Sequence, residues 1–476
     1  MTLTQTLIFA GLALLGGWLT RARSGHRLDF ILVISVLAVF WLQPALPIRY
    51  LDFWLPLVTL LIIFLCWVIL ASPEQRALPA NRLTALLVLA LVSLIAITRF
   101  LPFDPLLSAS RPPQFWQVLI FLGLAALAAF ALSRWWRPSL LIFAIILLIG
   151  LMLIQKTPFL SETLSNLLRA INGQSVERVS ALDIRWLGFS YIVFRLIHTL
   201  RDRQEARLPD VSLKEYFAYV IFFPALTAGP IDRIERFMGG LRNPVLLDRE
   251  GFVYAGERFF LGLLKKYVIA DGLALITLNS VNATQVQHSF WAWVILYAYA
   301  FQIYFDFSGY TDIVIGIARL LGLTLPENFN SPYLKPNLTQ FWNNWHMSLT
   351  QWFRFYYFNP VNRWLRKVRQ PLSVPLQILF MQVSTMVLIG LWHGVTWNFV
   401  FWGLWHGLGL FLHNRWSDYI KPKFAGRVVS PAWQQFSNLA GVFITFNFVA
   451  LGWVFFALPT PPVSGRFFLV LFGFNG

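Results

Sequence analysis

Apolar runs long enough to cross a bilayer recur along this chain, and they constrain its fold more than any other feature. Six can be drawn through the first third of the 476 residues, centred near Leu12, Leu37, Leu61, Val92, Leu124 and Leu147. A hydrocarbon core of about 30 Å takes roughly 20 residues of helix, and backbone groups in lipid must find partners within the protein. Helices satisfy that demand locally, so the expected fold is an all-α polytopic integral membrane protein. Only 12% of residues are charged and mean hydropathy is +0.62, too little polar surface for a soluble domain. The 21 Trp and 45 Phe exceed what interface belts need, so many should pack inside the bundle.

The first run, Leu3–Thr20, has no basic residue before it and Arg21, Arg23 and Arg27 after it. That is the wrong polarity for a secretory signal, and the run reads as the first span. Basic residues recur after the third span (Arg76, Arg82) and the fifth (Arg134, Arg137), while the intervening loops carry Arg49, then Arg99 and Arg111. By the positive-inside rule the N-terminus is expected outside the cytoplasm. The net charge of +17 is therefore read as loop charge facing anionic lipid headgroups, with no nucleic-acid role. Cys66 is the only cysteine, which excludes an internal disulfide or a multi-thiolate metal site. Residues 1–179 contain almost no intramembrane polar groups and are expected to be scaffold.

From Ser180 the texture changes. Asp183, Arg185, Arg195 and His198 enter apolar sequence, and Ser212 with Glu215 forms a capping box that opens a helix over Leu213–Ala225. Pro224 and Gly229-Pro230 interrupt it, and broken helices at membrane depth are tolerated only in protein or beside a wet cavity. The next helix, Phe259–Leu278, carries Lys265, Lys266 and Asp271. These lysines can snorkel to headgroups or meet a phosphate. Phe290–Gly322 holds Asp306, Ser308, Gly309, Tyr310 and Asp312. It is too long for one straight span and has a glycine at its middle, so a kink or break is expected. Arg319, seven residues after Asp312, is a candidate ion partner.

Pro326 and Pro332 then bound a non-helical connector, PENFNSPY. In Asn337–Tyr356 an aromatic stripe (Leu338, Phe341, Trp342, Trp345, Leu349, Trp352) follows helical spacing, which predicts one amphipathic helix with His346 at the stripe's edge. The basic cluster Arg363, Arg366, Lys367 and Arg369 follows. Two helical runs, Leu376–Trp392 and Trp397–Leu412, are joined by a tight turn at His393–Thr396. A last span, Phe436–Leu458, carries Asn447, and residues 459–476 begin a further apolar segment.

Three histidines, His346, His393 and His406, each follow a tryptophan in this region. Such a residue can be an interhelical hydrogen bond or a general base, for which imidazole is well suited near neutral pH. No G-x-S-x-G elbow exists, and no H-E-x-x-H or H-x₃₋₅-H spacing that would hold a metal. Base catalysis on an incoming hydroxyl is the simplest chemistry this set permits. A transporter or flippase of a lipid-linked glycan, or a silent scaffold, would also use broken helices and buried charges. Against the former, the polar residues are not distributed over two corresponding halves.

Six segments carry a family resemblance: FFPALTAGPIDR (222–233), FFLGLLKKYVIAD (259–271), YFDFSGYTDIVIGIARLLGL (304–323), PENFNSPY (326–333), TQFWNNWHMSLTQWFR (339–354) and GLWHGVTWNFVFWGLWHG (390–407). In this order they resemble the membrane-bound O-acyltransferase (MBOAT) family, in particular its bacterial branch acting on alginate and teichoic acid. The resemblance implies a bundle of about 12–14 membrane helices, some re-entrant or broken, with a catalytic core over residues 180–458 and a tunnel. It implies an acyl donor on the cytoplasmic side of a bacterial inner membrane, either acyl-CoA or a phosphopantetheinyl acyl carrier protein. The acceptor would be a hydroxyl of an envelope polysaccharide, glycan or lipid, with an extracytoplasmic partner protein common near the family.

On the residues, the resemblance makes His393 the base, and His346 the group that orients substrate, polarises the thioester carbonyl or shares the proton. Asp306, Ser308, Tyr310, Asn328, Asn343, Trp342, Trp392 and Trp397 are expected to bind substrate. His406, Asp312 and Arg319 are expected to support, His406 by a hydrogen bond across helices. Phe355 and Asn359–Arg363 replace an acidic residue and a glycine pair usual in the alginate-type sequences. The acceptor is therefore not carried over with the family.

Overall fold

The structure, a computed structural model, describes residues 1–476 except 21–23, 103, 104, 106, 136, 178, 246, 370, 371, 425–429, 475 and 476. Arg21 and Arg23 thus lie outside the described residues. Among the described residues every regular element is helical, and Phe329 and Trp345 form one isolated antiparallel bridge. The chain divides into two units, Met1–Phe259 with Ile313–Leu325, and Phe260–Asp312 with Pro326–Gly476.

In the first unit, the six expected spans fall on helices Leu3–Leu19, Ser24–Trp41, Leu51–Leu70, Pro79–Ile97, Phe115–Arg134 and Ser139–Lys156. Leu51–Leu70 is 67% buried over its most apolar window and forms the core of this layer, with Cys66 as buried filling. Phe115–Arg134 and Ser139–Lys156 are only 17% buried there, so most of their side chains face outward, as lipid-facing helices do. By length and composition, six helices of the described chain can cross a membrane: Leu51–Leu70, Pro79–Phe100, Phe115–Arg134, Ser139–Lys156, Val374–His393 and Pro431–Ala457.

The Ser212 box forms as expected. Its hydroxyl accepts the Glu215 N–H, and the Glu215 carboxylate accepts the Ser212 N–H at 2.9 Å. The helix ends at Val220, short of the expected Ala225, and a single tight turn covers Phe223–Ala225. Backbone groups freed by this early end are recovered by buried side chains. Arg195 donates to the carbonyls of Val220 (2.8 Å) and Ala225 (3.0 Å), and the Ser35 hydroxyl accepts the Phe223 N–H (3.1 Å). Without water at that depth, such replacements let the break persist.

In the second unit, Val374–His393 and Trp397–Phe424 form the expected helical hairpin. Gly403 and Gly407, one turn apart, face the partner helix so closely that an added Cβ would lie 2.5 Å from the Val387 Cα or 2.6 Å from the Val383 Cα. This is the small-residue close packing that joins helices in lipid. Ser289–Leu320 is a single continuous helix, so the kink expected near Gly309 is absent. Gly309 serves packing instead: a Cβ there would sit 2.8 Å from the Lys266 nitrogen.

The same approach sets the ion pairs. Lys265 donates to Asp312 at 2.7 Å and Lys266 pairs with Asp306, both lysines lying in a wide π-turn, Leu264–Ala270. The wider turn narrows the angle between consecutive side chains, so neighbouring lysines reach carboxylates on one helix. Snorkelling is thereby replaced by pairing, and Asp312 takes Lys265 where Arg319 was the expected partner. The Arg319 guanidinium lies against Gly251. Replacing Lys265 with Met should destabilise by about 3–5 kcal/mol, because it removes the cation paired with a buried carboxylate. The double variant Lys265→Met/Asp312→Leu should recover most of that loss, as read by thermal unfolding in detergent micelles.

Candidate active site

The helix expected over Asn337–Tyr356 is two half-helices, Leu338–Asn344 and Met347–Phe353, followed by a π-turn over Arg354–Phe358. Between them Trp345 is extended, and His346 adopts φ 43° and ψ 55°. The connector supplies the cause. Phe329 bridges to Trp345, and the Asn330 N–H donates to the Asn344 carbonyl at 3.1 Å. The Asn328 carbonyl accepts the Met347 N–H (3.0 Å), while its side-chain oxygen accepts the Ser348 N–H (3.2 Å) and hydroxyl (2.6 Å). Residues 328–330 thus occupy the positions that the intrahelical ladder would fill. A left-handed non-glycine residue costs about 1–2 kcal/mol, and this wedge over-determines it.

The result is to turn His346 into an aromatic chamber. Its buried ring stands edge-on to Phe307, with centroids 4.6 Å apart at 87°, and 6.2 Å from Trp392. His393, the last residue of Val374–His393, meets Trp392 at 4.4 Å, Phe456 at 4.7 Å and Trp402 at 6.0 Å. Both imidazoles line one cavity of about 50 Å³, walled further by Ile303, Phe307, Trp345, Trp402, Trp453 and Phe456. A larger cavity of about 200 Å³ has a mostly apolar lining, including Phe353, Phe358, Met386 and Leu410, into which Asn343, Gln382 and Asn414 bring amides and Arg354 a guanidinium. The two share Trp342, Thr350 and Ile389, which places the larger cavity next to the histidine chamber.

Of the residues expected at the site, His346, His393 and Trp342 come together on the chamber wall. Asn343 lines the larger cavity, where its oxygen accepts from Arg354 at 3.2 Å, and Trp392 touches both imidazoles. Others are placed elsewhere. Asn328 caps the second half-helix, and Asp306 and Asp312 are held by lysines. Ser308 and Tyr310 are buried in the long helix but not on the chamber wall, and Trp397 is 70% exposed. His406 is fully buried, yet neither ring nitrogen has a hydrogen-bond partner among the described residues. In place of the expected interhelical bond it packs edge-to-face with Trp342 (5.1 Å) and Trp402 (4.9 Å).

Ile303 and Phe307 were not anticipated, because a continuous apolar helix does not announce which face meets the site. Gln382 could have been found, since an amide at the middle of an apolar span is a polar intramembrane residue demanding a purpose.

Residues 130–456 match MBOAT, the membrane-bound O-acyltransferase family, and the chain belongs to that family. This is a family of enzymes, which sets the transporter reading aside. The chain is 29% identical over 289 residues to a teichoic acid D-alanyltransferase of Streptococcus thermophilus, covering 58% of this chain and 68% of that protein. It is 33% identical over 293 residues to a probable alginate O-acetylase of Azotobacter vinelandii (61% of this chain, 54% of the relative). It is also 33% identical over 265 residues to a peptidoglycan O-acetyltransferase of Helicobacter pylori (55% and 47%). The chain thus spans about half the length of the last two relatives.

The wedge makes a direct prediction. Asn328→Ala removes the acceptor for two Ser348 donors, at a cost of about 1–3 kcal/mol, and frees His346 from its fixed direction. A lower melting temperature together with reduced acyl transfer is expected, whereas unchanged values of both would show that the cap does not hold the site.

Proposed function

We propose that this multi-pass membrane enzyme moves a short acyl group, acetyl in the simplest case, from a thioester donor to a hydroxyl of an envelope polysaccharide, glycan or lipid. The observation that carries the reading is the pair of imidazoles on one small, aromatic chamber beside a larger cavity that contains three amides. At about 50 Å³ the chamber has room for a few water molecules or a two-carbon acyl group, and not for a fatty chain. The relatives named for alginate, teichoic acid and peptidoglycan point to an envelope polymer as acceptor. The donor is acyl-CoA or an acyl carrier protein. Both are acidic, and the exposed Arg363, Arg366, Lys367 and Arg369 offer a complementary docking surface on the cytoplasmic side.

In the mechanism, His393 removes the proton of the acceptor hydroxyl as its oxygen adds to the thioester carbonyl carbon. His346, aimed by its left-handed backbone, orients the donor carbonyl or shares the proton. Collapse of the tetrahedral intermediate breaks the C–S bond, and the thiolate leaves with the proton carried by the imidazolium. Aromatic walls exclude water that would otherwise hydrolyse the thioester, and hold the reactants at short range.

Purified protein in nanodiscs can be given radiolabelled acetyl-CoA or acetyl-carrier protein together with alginate oligomers, lipoteichoic acid or peptidoglycan fragments. His393→Ala should lower transfer by about 10²–10⁴-fold, the usual contribution of a general base, while EDTA should leave it unchanged. Full activity in a folded His393→Ala protein would overturn the mechanism.

A further inference from the structure

Any hydroxyl attack on a thioester carbonyl places negative charge on the carbonyl oxygen, and a dry site must hold donors ready for it. The usual donors are free backbone N–H groups, and three of those following His346 are engaged. Those of Met347 and Ser348 bond to Asn328, and that of Thr350 bonds to the His346 carbonyl at 3.1 Å. The Thr350 hydroxyl lies within hydrogen-bond reach of the Trp342 (3.3 Å) and Trp345 (3.4 Å) carbonyls, and the Trp453 indole donates to the Tyr333 hydroxyl (3.1 Å).

Among the described residues, two indole donors of the chamber wall are left, beside the His346 Nε2, which is also unpartnered. The Nε1 groups of Trp342 and Trp402 are buried and have no hydrogen-bond partner among the described residues. The residues are 7% and 1% exposed, and their rings stand edge-to-face with centroids 5.6 Å apart. A buried N–H without a partner costs about 1–3 kcal/mol, and such groups in a native structure call for an explanation such as a catalytic role. His406 packs edge-on to both rings and braces them.

We propose that the indole N–H groups of Trp342 and Trp402 stabilise the oxyanion of the tetrahedral intermediate. The assignment rests on the O-acyl-transfer reading above. As the acceptor oxygen bonds to the carbonyl carbon, the C=O π electrons move onto oxygen, and the two N–H groups donate to it. When C=O reforms, the C–S electrons leave with sulfur, and both indoles return to their unpaired state. The donors thus bind the intermediate more strongly than the ground state, which is the condition for raising kcat.

The test replaces each tryptophan separately with β-(3-benzothienyl)alanine, which puts sulfur in place of N–H and keeps the ring shape. Transfer from acetyl-CoA is measured on whichever of alginate oligomers, lipoteichoic acid or peptidoglycan fragments the wild-type enzyme labels. The expected result is a fall in kcat of about 10²-fold for each variant, with KM for acetyl-CoA within threefold and an unchanged melting temperature. Values of kcat within twofold of wild type in both variants would overturn the assignment. So would a loss of activity that follows a lowered melting temperature, since ring packing would then be responsible. If folded wild-type enzyme labels none of the three polymers and releases no CoA, the acyl-transfer reading falls and takes this assignment with it.

Discussion

The hydrogen bonds between residues 328–330 and the broken ends of two half-helices are the interaction on which the site depends. A helix interrupted at Trp345–His346 exposes carbonyls on one side and N–H groups on the other. In a lipid environment each such group left alone costs several kcal/mol. Asn330 takes the Asn344 carbonyl, and Asn328 takes the Met347 and Ser348 N–H groups. With those bonds formed, the backbone can turn through a left-handed residue that would otherwise be strained. The imidazole at that residue is then directed across the aromatic chamber instead of along a helix face. Connector and half-helices form one structural unit, and the connector's sequence is as much a part of the site as the histidine.

The same exchange recurs through the chain. Arg195 takes the carbonyls freed at the end of the Ser212-capped helix, and Ser35 takes an N–H from the following turn. Lys265 and Lys266 neutralise the carboxylates of the long helix where a π-turn passes close to Gly309. Polar residues therefore mark irregular backbone and close helix approach at least as often as they mark chemistry. The regular helices Phe115–Arg134 and Ser139–Lys156 have almost none, because their ladders are complete within themselves.

This accounts for what was legible beforehand. Helix positions in the first unit and the hairpin presenting His393 follow from apolar length and from the turn at Gly394, both local properties. The three chamber residues His346, His393 and Trp342 were legible through the motifs that carry the family. The break at His346 was not, because helical spacing of Trp342, Trp345 and Leu349 continues through it, and only a distant segment enforces the interruption. Asn328 and Asp306 looked like substrate ligands for the same reason: a polar residue in apolar sequence needs a partner, but its sequence neighbours do not say whether that partner is protein or substrate. Ile303 and Phe307 were invisible because one apolar face of a buried helix resembles another.

The shape of the chamber bears on how transfer can prevail over hydrolysis. Water is a small acceptor, so exclusion by size alone cannot reject it. The wall around His346 and His393 is mostly apolar and aromatic, and includes Ile303, Phe307, Trp345, Trp402, Trp453 and Phe456. A water needs two to four polar partners to reside in a cavity, and among the described residues the chamber's unpartnered nitrogens include the indole N–H groups of Trp342 and Trp402 and the His346 Nε2. On the proposed mechanism, a thioester seated beside these indoles takes the space such a water would need. Under that proposal, occupancy by the thioester and exclusion of its competitor are the same event, and the indoles are left to pair as charge develops on the carbonyl oxygen.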